Sequence, residues 1–123
     1  VYGIIYRGGD RIETQLKKGL IDVCVLAILF RGDSYGWQII KDLSTVLEVS
    51  ESTLYPVLKR LELGKLVTTY EQPYNGRLRK YFKITRSGEE RLRQFEDEHE
   101  KLTLVYNFIL GAIKNNKEEG ENL

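Results

Sequence analysis

The chain has 123 residues, enough for one domain with a sizeable core, and its 41% hydrophobic and 30% charged content excludes a disordered or membrane-embedded polypeptide. A lone cysteine, Cys24, rules out an intramolecular disulfide, and one histidine with one cysteine supplies no zinc-ligand set. The formal net charge of +1 hides an uneven distribution: residues 50–91 carry nine basic and five acidic side chains, residues 92–123 four basic and seven acidic ones.

No methionine occurs, so residue 1 is not read as an encoded start, and residues 1–13 are taken as an N-terminal extension, partly vector-derived. From Thr14 the pattern is helical. Leu16, Leu20, Val23, Ala27 and Phe30 recur at helical spacing on one face, and Ile21, Val25 and Ile28 form a second, so the helix is expected to be buried on two sides. The run from Leu20 to Phe30 contains Asp22 and is too short to span a bilayer; Cys24 within it reads as an inert, buried thiol of a cytoplasmic protein. Arg31-Gly32-Asp33-Ser34 stops this helix, and a second is expected from Tyr35 to Leu47 with Ile39, Leu43 and Val46 or Leu47 inward.

Ser50-Glu51-Ser52-Thr53 is rich in cap residues and opens a third helix, with Leu54, Leu58 and Leu61 inward and Gly64 at its end. With Ser52 as the cap, Pro56 removes only the first intrahelical bond. The period then changes to two: residues 66–71 and 79–84 read as strands, joined through Pro73-Tyr74-Asn75-Gly76, a hairpin signal. Thr85 to Glu89 resembles a capping box, from which a long helix runs to about Asn115. Leu92, Phe95, His99, Leu102, Tyr106, Ile109 and Ile113 alternate by three and four along it as one unbroken seam. Residues 116–123 are read as a tail, and Glu121-Asn122-Leu123 matches the start of a commonly engineered protease-cleavage sequence.

Three helices followed by a two-stranded hairpin is the winged helix-turn-helix order, in which the third helix enters the major groove and the hairpin touches the flanking backbone. The expected fold class is therefore mainly α with a small β-hairpin: a winged helix over residues 14–86 and a C-terminal dimerisation helix over residues 87–115. Ser52, Tyr55, Lys59 and Arg60 lie on the outer face of the third helix, and Arg77, Arg79, Lys80 and Lys83 on the hairpin. Cations of this kind set affinity on phosphates, while Ser52, Thr53 and Tyr55 are suited to base edges or thymine methyls. The alternative for the same pattern is a solvated helix face and a charged edge strand that discourages aggregation. The basic middle and acidic end fit a DNA-contacting module joined to an oligomerisation element. A single histidine, a single cysteine and no glycine-rich phosphate loop argue against an enzyme, a metal site or a cofactor. Two rival classes remain: a winged-helix protein-interaction module, which would expose apolar residues on the third helix, and a small-molecule-binding protein with a cavity between first and last helices.

The stretch Leu54-Tyr55-Pro56-Val57-Leu58-Lys59-Arg60-Leu61-Glu62 with Gly64, followed by Gly76-Arg77-Leu78-Arg79-Lys80-Tyr81-Phe82-Lys83-Ile84-Thr85 and Gly88, resembles the PadR family of bacterial transcriptional regulators. Gln15-Leu16-Lys17-Lys18-Gly19 and Ser34-Tyr35-Gly36 are similar to it as well. The resemblance implies a homodimer joined through the first and last helices, here Leu16, Leu20 and the seam Phe95, His99, Leu102, Tyr106, Ile109 and Ile113. It further implies binding of an inverted-repeat operator on double-stranded DNA, often as a repressor released by a small-molecule effector. DNA contact is expected from Ser52, Thr53, Tyr55, Lys59 and Arg60, from Ser34 and Tyr35 at the start of the second helix, and from Asn75, Arg77, Arg79 and Lys80 on the wing. Two departures stand out: Phe82 replaces a tyrosine common in that strand, and the sole tryptophan, Trp37, lies on the second helix rather than the last, where some members stack planar drugs. His99 sits on the seam, where two imidazoliums brought together in a dimer would repel.

Overall fold

The structure is a computed structural model that describes the backbone of residues 10–122 and the side chains of residues 19–117. Its elements run α1 (Asp10–Arg31), β1 (Ser34–Tyr35), α2 (Gly36–Leu43), α3 (Glu51–Leu63), β2 (Val67–Tyr74), β3 (Arg77–Ile84) and α4 (Arg86–Asn122). The chain divides into two compact units, one ending at Leu92 and the other beginning at Arg93, within α4 rather than at its start. Residues 1–9, most of the expected extension, and the side chains of Leu16 and of residues 118–123 lie outside the described residues.

The winged unit is built on one core. Ile21, Val25, Leu26 and Leu29 of α1 meet Ile39 and Leu43 of α2, Leu54, Val57, Leu58 and Leu61 of α3, and Val67 and Phe82 of the sheet. Of the two faces expected on α1, the one containing Ile21 and Val25 packs inward; on the other, Val23 is buried, but Ala27 is exposed, Phe30 is 56% exposed and Leu20 is half-buried. The winged unit thus leaves part of an apolar stripe open on its first helix.

α2 is shorter than its periodicity suggests. Ser44 and Thr45 turn their hydroxyls back onto the carbonyl oxygens of Ile40 and Asp42, both at 2.7 Å, while the Thr45 and Val46 N–H groups bond three residues back to Asp42 and Leu43, so the chain tightens into a turn rather than continuing the helix. Val46 accordingly points outward at 70% exposure, while Leu47 packs against the core. Before α2, Ser34 and Tyr35 form a strand and not the helix start: they pair with Phe82 and Tyr81 of β3, giving the sheet order β1-β3-β2. Two residues are too few to carry a period, so this strand is fixed only by its distant partner.

α3 begins two residues earlier than Ser52 would have set it. Ser50 is the N-cap, in extended conformation, and its carbonyl accepts from the N–H groups of Thr53 and Leu54 at 3.1 and 3.0 Å. Pro56 therefore lies beyond the first turn and removes the bond to the Ser52 carbonyl rather than the first of the ladder. At the far end Leu66 N–H donates to Leu61 and Lys65 N–H to Glu62, the Schellman pattern, with Lys65 and not Gly64 in the left-handed region at φ 62°.

The hairpin is in register from Val67 opposite Ile84 to Tyr74 opposite Arg77. Asn75 and Gly76, at φ 50° and 78°, form the two-residue loop whose twist matches the strands. Pro73 sits in β2, an edge strand, where a missing donor is tolerated. Thr85 then ties the sheet to α4: its hydroxyl donates to the Lys65 carbonyl at 2.7 Å and accepts from Gly88 N–H at 3.2 Å. Only the hydroxyl half of the expected box has the right spacing, because the third helical position is Gly88 and Glu89 falls one residue late.

The second unit is helix alone. From Leu102 to Ile113 it exposes the seam residues Leu102, Tyr106, Ile109 and Ile113, but also Leu104, Val105, Phe108 and Leu110 off the seam, so its apolar surface wraps most of the helix. Phe95 is half-buried and His99 exposed, their rings 6.4 Å apart; the Thr103 hydroxyl donates to the His99 carbonyl at 2.9 Å. Among the described residues no helix is long and apolar enough to cross a membrane, and no cluster of His, Cys, Asp or Glu is arranged to hold a metal ion.

Candidate nucleic-acid interface

The outer face of α3 is polar because its period places Leu54, Val57, Leu58 and Leu61 on the opposite side, all at least 95% buried. Ser52, Thr53, Tyr55, Lys59 and Arg60 are all exposed. The hydroxyls of Ser50, Ser52 and Thr53 cluster at the N-terminus, Ser50 Oγ lying 2.9 Å from Ser52 Oγ and 3.2 Å from Thr53 Oγ1. Their hydrogens can rotate outward, so the first turn offers both donors and acceptors to a facing group.

Tyr55 is exposed yet pinned. A Cβ added at Gly36 would lie 2.9 Å from the Tyr55 hydroxyl oxygen and 3.0 Å from its Cε1, so the phenol rests directly on the backbone at the start of α2. Glycine at position 36 is what permits that approach. The sequence contained this signal only as the glycine after Tyr35, since spacing does not reveal which ring lands on it.

Four of the five expected cations fall into two groups. Arg60 forms an ion pair with Asp22 of α1 at 2.5 Å, and Lys80 one with Glu62 of α3 at 3.6 Å, while Glu62 also accepts from the Thr69 hydroxyl at 3.1 Å. These contacts brace α3 against α1 and the sheet. Lys59 and Arg77 form no ion pair among the described residues and are exposed. Expected as equivalent contacts, these four of the five cations thus separate into two paired with carboxylates and two that stand free.

Arg79 belongs to neither group. Its guanidinium carbon lies 3.4 Å from the Tyr74 ring centroid and 3.9 Å from that of Tyr35, and it donates to the Tyr81 hydroxyl at 3.3 Å. Stacking covers the guanidinium faces but leaves in-plane N–H edges open, the geometry in which arginine is both packed and able to donate. Tyr81 in turn meets Tyr35 edge-on at 5.6 Å and stacks on Tyr70 at 5.5 Å, and Tyr70 donates to Asp33 at 2.8 Å. That hydrogen bond, with lesser desolvation and the carboxylate charge, pushes the Tyr70 phenol above its ordinary range. The aromatic clasp joins the wing to the turn before α2.

Of the residues expected at the start of α2, Tyr35 is half-buried within this clasp, and Ser34 is buried at 7% exposure with no partner for its hydroxyl among the described groups. Asn75 and Arg77 are exposed at the hairpin tip. A groove of about 600 Å³ opens between α2, α3 and the sheet, with Trp37, Tyr55, Lys59 and Arg79 on its walls. Trp37, absent from the expected contacts, is 57% exposed in the first turn of α2. Away from this groove, Cys24 is half-buried rather than buried as expected, and the burial it has pushes the thiol up.

This geometry can be set beside known proteins. The model of the transcriptional regulator PadR-like family matches residues 25–94. The chain belongs to that family. A PadR family transcription regulator from Clostridium difficile is 32% identical, the match covering 74% of this chain and 98% of that one with a TM-score of 0.69. A PadR-like transcriptional regulator from Bacillus cereus is 30% identical, over 78% of this chain and 96% of that one, at 0.71. Bacillus subtilis PadR, solved in complex with operator DNA, is 23% identical over 62% of this chain and 46% of its own, at 0.57, a likeness of fold. For this PadR-like chain the matched region runs from α1 into α4 and includes all of α2, α3 and the sheet.

Proposed function

We propose that this chain is a sequence-specific DNA-binding transcriptional regulator that acts as a homodimer and represses by occupying an inverted-repeat operator. The observation that carries the reading is that one unit presents the hydroxyl, Tyr55 and Lys59 face of α3 together with a free, basic wing tip. Such a pair supplies base-edge and phosphate contacts at once. A protein-interaction module is disfavoured because α3 exposes one large aliphatic, Leu63, at its very end, and otherwise Tyr55, Pro56 and polar groups. Family membership supports transcriptional regulation, and the operator complex of Bacillus subtilis PadR supports DNA as the partner.

Dimerisation is supported by what each unit leaves uncovered. Phe30 of α1 is 56% exposed, and Leu102 to Ile113 of α4 is apolar nearly all round, a pattern that requires burial against other protein. A two-fold assembly would present two recognition helices to two half-sites about one helical turn apart, which makes the operator an inverted repeat.

The test is to select duplexes from a random pool and footprint the winner. A two-fold symmetric site, lost on combining Tyr55→Ala with Lys59→Ala and blocking transcription from a promoter that contains it, is the expected result. A half-site without symmetry, or undiminished binding by the double variant, would overturn the reading.

A further inference from the structure

We infer that Trp37 forms a non-ionic wall of the DNA-backbone seat, packing its indole on a deoxyribose of one operator strand and holding Lys41 toward the adjoining phosphate. The inference rests on the DNA-binding reading above and adds a contact of different chemistry to it. α2 buries Ile39 and Leu43 completely, yet leaves Trp37 57% exposed. A large exposed aromatic on a helix that otherwise buries its apolar residues is the informative exception.

What surrounds the indole indicates its ligand. It shares the groove between α2, α3 and the sheet with Tyr35, Tyr55, Lys59 and Arg79. The single carboxylate there, Glu62, is engaged by Lys80 and Thr69. Lys41, one turn along α2, holds its ammonium 5.2 Å from the Trp37 ring centroid. Such a cation–π contact orders a long, flexible side chain on the same face as the groove. Aromatic walls beside Lys59, which forms no ion pair among the described residues, and the open N–H edges of Arg79 match a sugar-phosphate unit, which offers an apolar C–H face beside anionic oxygens. The indole N–H, a donor without acceptor capacity, matches a phosphate oxygen as well. An apolar peptide would leave these cations desolvated and unpaired.

Trp37 is the only tryptophan, so intrinsic emission reports this one site. The full chain is titrated with a duplex selected from a random pool by the wild-type protein, across a range of salt concentrations. The emission should shift and saturate with binding. Trp37→Ala should weaken binding about tenfold and reduce the dependence on salt by no more than the one phosphate contact that Lys41 makes, since the indole itself releases no counterions. Lys41→Gln should flatten that dependence by about one phosphate contact, and Trp37→Phe should restore most of the affinity. Unchanged emission in the wild type, or wild-type affinity in Trp37→Ala, overturns the inference while Lys59→Ala and Arg77→Ala still weaken binding. If those two bind as tightly as wild type, it is the DNA-binding reading itself that fails.

Discussion

Replacing Gly36 with alanine is expected to separate folding from DNA recognition. The new Cβ would lie 2.9 Å from the Tyr55 hydroxyl oxygen, 3.0 Å from Cε1 and 3.3 Å from Cζ. Ordinary contact needs about 3.5–4.0 Å, so the ring must retreat by roughly 0.5–1 Å. Tyr55 is 48% exposed, and its phenol is the far end of a rotatable side chain, so it can swing outward without disturbing the core. Gly36 is the first residue of α2 and carries no positive φ, so alanine there gains helix propensity, up to about 1 kcal/mol. Folding stability should therefore change by less than about 1 kcal/mol, in either direction. Affinity for a selected operator should fall by about 1–3 kcal/mol, the scale of one base contact. Urea denaturation read by circular dichroism, together with fluorescence anisotropy on the labelled duplex, measures both. Wild-type affinity for Gly36→Ala in a background where Tyr55→Ala binds weakly would show that Tyr55 reads DNA without needing its seat on α2. A loss of several kcal/mol in stability would show that the ring cannot swing free.

At Gly88 the balance reverses, since an added Cβ would collide with the Leu66 carbonyl oxygen and lie 2.6 Å from Ile84 Cγ1, neither of which can easily move. Gly88→Ala should cost about 1–3 kcal/mol in chemical denaturation, and an unchanged midpoint would mean that the junction of sheet and α4 is looser than described. Arg60→Gln should lower stability by no more than about 1 kcal/mol, because the pair with Asp22 is largely exposed, and should leave the salt dependence of DNA binding intact. Arg77→Ala should do the opposite, preserving stability and reducing the slope of log K against log salt by about one. Tyr70 donates to Asp33 only while protonated, and its raised pKa means that the folded state favours the protonated phenol. Its contribution is therefore complete below the phenol's ordinary range and lost as pH rises through the folded value. An alkaline loss of stability that persists undiminished in Tyr70→Phe would rule this group out as its source.

Much of the winged unit was legible in the chain because it rests on local rules. The spacing of Leu54, Leu58 and Leu61 gave the buried side of α3, and Asn75-Gly76 gave the hairpin loop, since positive φ at two consecutive positions favours those residues. β1 escaped notice, and α2 was read too long, for a shared reason. Both depend on what Ser34, Tyr35, Ser44 and Thr45 bond to, and these residues are compatible with helix, strand and turn alike. On α1 the apolar period was plain, but not which stripe the core would take.

For the candidate interface, periodicity along the chain was enough to put hydroxyls, an aromatic and cations on the solvent side of α3 and the hairpin, because helical and strand periods fix which face a side chain joins. What each can do there depends on the partners that folding brings to it. Arg60 is taken by Asp22, Lys80 by Glu62 and the faces of Arg79 by two tyrosines, while Lys59 and Arg77 stand without an ion pair among the described residues, and Gly36 and Trp37 enter the site. The physical reason is that most of these partners lie far away along the chain, so residue type and spacing reveal a charge but not the countercharge that folding brings to it.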